Sequence, residues 1–565
     1  ESPKDGWYFL LLTLSMIGLQ IAWSVELSNG SPYLLSLGIS KSVLGIAWMA
    51  GPLSGIIVQP YVGIKSDQCR SRFGKRRPFM VGGALATSFA LFGLAWAKEI
   101  ISGPFHLFGA DDGSHALHVS IATFAIVMIY VLDFAINVVQ AAIRAFIVDS
   151  APLVQQDLAN AWASRLAGVG NITGYLFGFF DLPKHLGIFG DSQMKVLCWF
   201  ASAALLGTVA ISCASIPEPP GNETGDPGQP QGSVVALSRS IYRSVRKLPT
   251  QIARVCYVQL AAWIGWYPFL FWTTTYVSEL YISARAGASE GPNADPSEIE
   301  ELLREGSRKG TFALFMFAIV TLITSTLLPF MTTKSYKSPS PRAVASTTVG
   351  SVASSRTLAR TASIMSISSG SYSGEATTHA ADDHLVPPSE PAGTRKQLSR
   401  VISRSPSIEI PGLTLRRLWF ISHLLFFALT WLTLFVHNVR SATLLIALIG
   451  IPWAVMLWAP FALIGAEICK RERSADVPNT DPPDEERSAE QMPAGSAGVI
   501  LGIHNVAIAV PQVVATLASS AVFHALQKPR GSVGDESVAW VLRLGGCAAL
   551  AAAWLTTAIE EADER

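Results

Sequence analysis

The chain alternates long apolar runs with polar breaks, and the runs share a common length. Twelve of them reach the roughly 20 residues that a helix needs to cross a bilayer core. They are Trp7–Leu27, Val43–Ile64, Phe79–Ala97, Val119–Phe146, Trp162–Phe180, Val196–Ala214, Ile252–Val277, Thr311–Met331, Leu415–Val436, Ala442–Ala466, Ala494–Phe523 and Ser537–Ile559. Such runs satisfy their backbone groups internally only as helices, and they are far longer than barrel strands. The expected fold is an all-α membrane protein of twelve transmembrane helices. Two hydrophilic stretches interrupt the series. Pro217–Pro249 is Pro-, Gly- and Asp-rich and divides the spans six and six, whereas Lys334–Pro411 is Ser/Thr-rich and poor in large apolar residues, the composition of a disordered loop. The predicted organisation is an N-terminal six-helix bundle (1–216), a cytoplasmic linker (217–250), the first helices of a C-terminal bundle (251–333), a cytoplasmic loop (334–411) and the rest of that bundle (412–565). Six plus six suggests pseudo-symmetric bundles with a site between them near the midplane.

Composition sharpens this picture. Half of the 565 residues are hydrophobic and 15% are charged, where soluble domains carry about 25% charge, so a soluble multidomain enzyme is excluded. Forty-two Lys and Arg against 41 Asp and Glu leave a net charge of +1, which gives no body suited to nucleic acid. The basic residues are placed asymmetrically. Arg70, Arg72, Lys75, Arg76 and Arg77 follow span two, Arg239, Arg243, Arg246 and Lys247 follow span six, and Lys470, Arg471 and Arg473 follow span ten; the opposite loops hold Lys41, Lys98 and Lys184. Both termini are therefore expected in the cytoplasm; the plasma membrane is the expected location, with the vacuole as the alternative. Ser278–Gly310 interleaves Arg304, Arg308 and Lys309 with four Glu residues and reads as an external amphipathic helix. None of the six cysteines sits in a predicted external loop, so no disulfide framework is implied. The first apolar run reads as a retained helix and not a cleaved signal, and the missing initial Met leaves room for an N-terminal extension. Asn29-Gly30-Ser31 is a glycosylation sequon set too close to a span for use, and Arg360-Thr361-Ala362-Ser363 and Arg404-Ser405-Pro406 resemble kinase sites in an otherwise plain solvated loop.

The candidate chemistry lies inside the spans. Asp133 sits well within an apolar run, where a carboxylate costs about 2.5–3.5 kcal/mol or more and needs a partner or a proton. Asn137, Gln140 and Arg144 follow at helical spacing on the same face. Such a stripe belongs against water or a polar ligand, or else within an interhelical network. Asp133 and Arg144 stand about 16 Å apart along the axis, so they cannot pair directly. Burial and a nearby cation act oppositely on a carboxyl, which suits Asp133 to take and release a proton. Glu26, beside Trp23, is a second candidate, or it snorkels to the interface. His504-Asn505 lie in an apolar helix with Pro511 beyond; His504 is a relay or a satisfied core histidine. Trp266 and Thr274 belong to an aromatic and hydroxyl-rich run that suits a sugar or, equally, an aromatic belt. Gly170, Gly174 and Gly178, like Gly51 and Gly55, mark close helix packing. The loop Gly63–Pro78, with Asp67, Gly74, Arg76 and Arg77, can clasp helix ends as a gate, or it reflects topology alone. A membrane-embedded enzyme has no support, because His423, His437 and His504 lack metal-ligand or nucleophile spacing.

Several segments together carry a family resemblance. Gly51–Phe79, Asp133–Asp149 (DFAINVVQAAIRAFIVD), the run WIGWYPFLFWTTTY and Gly498–Gln512 resemble, in order, the second helix and following loop, the fourth, the seventh and the eleventh helices of sucrose transporters in the glycoside–pentoside–hexuronide branch of the major facilitator superfamily. The resemblance implies the major facilitator fold and a proton-coupled symporter of sucrose or related α-glucosides such as maltose, acting by alternating access. It implies Asp133 as the protonatable sugar-binding carboxylate and Arg144 as its essential neighbour, with Asn137 and Gln140 as site residues. Protons are the implied coupling ion, with no metal or other cofactor, and the partners are a small sugar and the bilayer, for a monomer with possible kinases acting on the 334–411 loop. The chain departs from plant members at Trp272–Thr275, Ser278, His504 and Glu26, and its Ser-rich insertion is similar to fungal members. Those departures leave the preferred sugar open, and an uncoupled uniporter or a non-transporting sugar sensor remain alternatives.

Overall fold

The computed structural model describes residues 4–67, 69–107, 114–152, 155–218, 248–286, 296–328, 331–332, 410–475, 496–529 and 532–560. The linker, the Ser-rich loop and its kinase-like sites fall almost wholly outside these residues.

Twelve principal helices occupy the predicted spans. Helix α1 runs Gly6–Ser36, α2 comprises Lys41–Ala47 and Ala50–Asp67, α3 is Arg77–Ala95, α4 His115–Ser150, α5 Gln156–Phe179 and α6 Gln193–Ser215. In the second half, α7 is Thr250–Ala286, α8 Pro296–Leu327, α9 Leu415–Trp431, α10 Val439–Ala475, α11 Ser496–Leu526 and α12 Ser537–Thr556. Their starts follow local chemistry. Asp5 accepts a hydrogen bond from the Tyr8 amide at 3.0 Å, and Ser40, Ser192 and Thr414 cap α2, α6 and α9 in the same manner. Ten of the twelve are apolar enough to cross a membrane on length and composition. The exceptions are α5, which carries Asn160, Arg165 and Asn171, and α7, which carries Gln259, four threonines and many Trp and Tyr rings. Two expectations change. Helix α1 continues past Leu27 through a π-helical turn, Glu26–Gly30, which buries Asn29 and removes the sequon from use. The charged segment before span eight is no separate helix; it is the first part of α8.

The halves repeat one another. Helix α1 lies against α5 and α6 as α7 lies against α11 and α12; α4 lies against α2 and α3 as α10 lies against α8 and α9. The halves meet where α5 faces α8, α2 faces α11 and α1 faces α7. Helices without a hydrophobic drive to associate rely on close backbone approach. At Gly265, a methyl group would fall 2.3 Å from the Gly545 carbonyl oxygen, so α7 and α12 touch main chain to main chain. The predicted small edge of α5 behaves likewise, since a methyl on Gly170 would lie 2.7 Å from the Ile17 carbonyl of α1.

One end of the molecule carries Lys41 and the other Arg76. At the Lys41 end the halves are bolted together. Lys41 pairs with Glu279 of α7 and, at 2.6 Å, with Asp535, and donates to Ser537 at 3.0 Å. Arg308 of α8 reaches Asp181 at 3.1 Å and the Phe179 carbonyl at 2.9 Å, and Ser520 donates to the Ser42 carbonyl. At the Arg76 end the predicted loop clasps its own half. Buried Arg76 donates to Asp149 at 2.8 Å and to Ser66, Lys75 pairs with Asp149 at 3.0 Å, and Arg77 reaches the Ile216 carbonyl. The Arg76 and Arg77 amides donate to the Glu218 carboxylate at 2.8 and 3.2 Å. Gly74 has φ +107°, and any Cβ there would meet that carboxylate. The loop thus ties α2, α3, α4 and α6 into one piece; the side chain of Asp67 lies outside the described residues.

Candidate functional site

The polar face of α4 is where the sequence places it, turned into the protein. Asp133 is 1% exposed and Asn137 3%, which excludes a lipid-facing stripe. Asn137 is fully engaged: it accepts from the Gln59 amide at 2.7 Å and donates to Ser54 at 2.8 Å and to the Asp133 carbonyl at 2.9 Å. Gln140 accepts from the Trp23 indole at 3.1 Å, which joins α4 to α1. One turn further along α1, Glu26 is also 1% exposed and lies within electrostatic reach of Asp133. Among the described residues neither carboxyl accepts from any donor group, and the two acids face each other within hydrogen-bonding reach. Buried polar atoms are almost always satisfied, so two facing acids with no other donor mark a place that calls for a proton or a hydroxylated guest. Arg144, on the same face toward the Arg76 end, is exposed. The arrangement can hold a proton and accept hydrogen bonds from a hydroxylated guest.

The wall opposite comes from residues the sequence reading passed over. A methyl group on Gly51 would lie 3.4 Å from Asp133 Oδ1 and 3.6 Å from the Tyr267 hydroxyl. Gly51 therefore leaves space beside the carboxylate, a different task from the helix packing expected of it. Tyr267 donates to the Trp48 carbonyl, and Trp48, Tyr267 and Phe271 stack with ring centroids 4.6 and 4.7 Å apart. Ser31 accepts from the Trp48 indole at 3.1 Å and donates to the Phe271 carbonyl at 2.8 Å. This aromatic plug joins α1, α2 and α7 across the two halves. Beyond it on α7, Thr275, Ser278 and Glu279 line a cavity of about 600 Å³ that reaches to Lys41. The usable signal in the sequence was polar: Ser54 and Gln59 stand out within the second apolar run.

Other predicted site residues lie elsewhere. Trp266 is buried among Phe426, Phe269 and Trp453, with its nearest ring centroid at 4.1 Å, and belongs to the aromatic core of the C-terminal half. It was expected at the site because it shares a run with Tyr267, but successive residues on a helix point about 100° apart and only Tyr267 faces Asp133. Thr274 packs under Gly310 of α8, whose added methyl would meet its backbone at 2.7 Å, so it too lies inside one half. His504 hydrogen-bonds Gln259 at 3.0 Å and meets the Phe461 ring edge-on, which matches the satisfied core histidine. Asn505 reaches across to the Gly55 carbonyl at 3.5 Å, a long contact between α11 and α2.

Comparison with known proteins accords with this architecture. Residues 10–156 match the family described as MFS/sugar transport protein. The chain is 34% identical over 564 residues to a general alpha-glucoside permease of Schizosaccharomyces pombe, covering 98% of this chain and 93% of that protein. It is 25% identical over 560 residues to a sucrose transport protein of Oryza sativa subsp. indica, covering 95% and 85%. Among solved structures, a D-xylose-proton symporter superposes with a TM-score of 0.51 at 12% identity, over 99% of this chain and 100% of that one. A nucleoside transporter superposes with a TM-score of 0.53 at 12% identity, over 98% and 100%; at such identity both bear on the fold alone. Two repeated six-helix halves around a buried polar centre, and an identity that runs nearly end to end with the fission-yeast permease, place the chain in the sucrose and α-glucoside transporter branch of the MFS/sugar transport proteins.

Proposed function

We propose that the protein is a proton-coupled symporter of α-glucosides, sucrose or maltose among them, that works by alternating access with protons as its only coupling ion. The observation that carries this reading is Asp133: a carboxyl buried at the meeting of the two halves, with no donor group among the described residues and only the Glu26 carboxyl facing it, on a face shared with Asn137, Gln140 and Arg144. In an ionised state it needs donors, which sugar hydroxyls supply; in a closed, dry state it needs a proton. The sugar's apolar ring faces would rest on Tyr267, whose hydroxyl lies beside the space next to the carboxyl, and on Trp23, which is held by Gln140 on the same face of α4. Its similarity to an alpha-glucoside permease and to a sucrose transport protein supports the substrate class.

In this reading the Lys41 end faces outward and the Arg76 end, with its basic loop, faces the cytoplasm of a plasma-membrane monomer. The bolted Lys41 end then makes the described conformation one closed to the outside. Arg144, about 16 Å from Asp133 toward the cytoplasmic end, would attract the carboxylate's negative charge after proton release.

The test is uptake of radiolabelled maltose and sucrose into proteoliposomes, with and without an inward proton gradient. A symporter accumulates sugar only with the gradient, and Asp133→Asn abolishes that accumulation while leaving downhill exchange. Uphill uptake by Asp133→Asn at the native level would defeat the coupling assignment, and flux indifferent to the gradient would make the protein a uniporter.

A further inference from the structure

The centre holds two carboxyls where one suffices to bind a proton. Trp23 and Gln140 join α1 to α4, and the antiparallel course of these helices brings Glu26 opposite Asp133 on the side toward Lys41. Trp48 and Gly30 back Glu26: a methyl on Gly30 would lie 2.8 Å from the Trp48 ring and 3.9 Å from Glu26 Cγ. All four carboxyl oxygens are shielded from water, and among the described residues they have no donor but each other. The titratable groups facing the pair are the Tyr130 and Tyr267 phenols, and among the described residues no Lys or Arg side chain pairs with either acid. Arg144 stands three turns away on α4.

Adjacent like charges disfavour each other, and a dry site without a cation disfavours both. The doubly ionised pair is therefore tolerated only while the site is open to water. One proton placed between the two removes the problem, because the protonated member donates to the other's carboxylate oxygen. We propose that Glu26 and Asp133 form a carboxyl dyad that carries the coupling proton jointly. This rests on the symport reading given above. The proton comes from water on the Lys41 side, forms one O–H bond shared by the pair, and passes to water on the Arg76 side; no other bond changes. A lone aspartate in a wet cavity would bind protons only in acid. Two adjacent acids make loss of the last proton from the pair costly, so closure over an unprotonated pair is suppressed.

The experiment is gradient-driven uptake of radiolabelled maltose by reconstituted protein as a function of external pH. In Glu26→Gln the neighbouring charge is gone, so the pH of half-maximal uptake moves to the acid side by about one unit or more. Glu26→Ala must shift in the same direction, and it stands in if the Gln variant is not recovered. Glu26→Asp, which retains the second carboxyl, keeps a profile nearer the native one. A native pH profile in either charge-removing variant, with uphill uptake intact, overturns the dyad and leaves symport through Asp133 standing. Uphill uptake persisting in Asp133→Asn would instead strike the symport reading itself.

Discussion

Lys41 is the point at which the closed state is most open to attack by a single substitution. Its ammonium is held between two carboxylates and a hydroxyl from the other half, and the side chains of Lys41, Glu279 and Asp535 are 10%, 13% and 5% exposed. Arg308–Asp181, the second tie between the halves at this end, is 28% and 30% exposed at 3.1 Å, so it is screened and contributes about 0–1 kcal/mol. Lys41→Met removes the only cation paired with this buried cluster among the described residues and leaves two carboxylates facing each other. Removing one partner of a buried pair costs about 3–5 kcal/mol, and the lower figure applies because the cluster borders the cavity. The penalty falls on the closed state alone, since opening hydrates both acids. A change of about 3 kcal/mol moves the closed-to-open ratio by roughly a hundredfold. Thr275 lines the cavity beneath, and its hydroxyl has no partner, so Thr275→Cys is a mild reporter. In that background, Lys41→Met should raise the rate of labelling by a membrane-impermeant maleimide at least tenfold, whereas Lys41→Arg should label at the native rate. Equal rates for Lys41 and Lys41→Met in folded protein would refute the latch. The Asp535 side of the cluster also predicts a pH response. Burial works to raise its affinity for a proton, but hydrogen bonds from Lys41 and Ser537 and the Lys41 charge outweigh that and hold it below the usual carboxylate range. A depressed acid contributes its stabilisation above its unfolded value, about 3.9, and loses it only as pH falls through the lower folded value. With Glu279→Gln isolating this pair, the labelling rate divided at each pH by that of the same cysteine in the Lys41→Met protein, which cancels the thiol's own ionisation, should stay flat between pH 8 and pH 5.

Two further substitutions test the centre and the clasp. Gly51→Ala puts a methyl 3.4 Å from Asp133 Oδ1, which fits beside the acid but occupies sugar space; KM for maltose should rise severalfold with thermal stability unchanged, and an unaltered KM would remove Gly51 from the site. Arg76→Ala strips Asp149 and Ser66 of a buried donor, at a cost of about 2–3 kcal/mol because Asp149 is partly exposed and keeps Lys75; a clear fall in the melting temperature of detergent-solubilised protein is expected, and no fall would mean that the clasp is incidental.

The sequence made the spans legible because hydrocarbon imposes a single requirement, about 20 apolar residues with every amide satisfied, and all twelve helices stand where that rule puts them. It also made Asp133 legible, since a charge in an apolar run is conspicuous on any pattern. Tyr267 and Trp266 show where legibility ends. Both belong to the same aromatic run, both are buried, and composition offers nothing to separate them; what separates them is which face α7 turns to α2 and which to α9 and α10. The latch was hidden for a related reason. Lys41, Glu279 and Asp535 are ordinary loop or helix-end charges along the chain and become a cluster only when three distant segments meet.

The division of labour between the halves has a mechanical consequence. Asp133, Asn137, Gln140, Glu26 and Arg144 all belong to the N-terminal half, so in the proposed symport protonation would be an event within one bundle. The closing contacts at the Lys41 end belong to both halves. Any coupling of proton to gate therefore has to cross at a residue that touches both, and the structure offers Tyr267: its ring stacks on Phe271 in its own helix, its hydroxyl donates to the Trp48 carbonyl of α2, and that hydroxyl lies beside the space that Gly51 leaves next to Asp133. While Asp133 carries a proton or a sugar, the Tyr267 hydroxyl is free to hold the plug shut. An ionised, unaccompanied Asp133 competes for the same O–H, because a charged acceptor outbids a neutral carbonyl by about a factor of two. A switch of that single donor from Trp48 to Asp133 would loosen the plug only when the carboxyl is empty, which is the condition under which the site must reopen to the side that supplies protons.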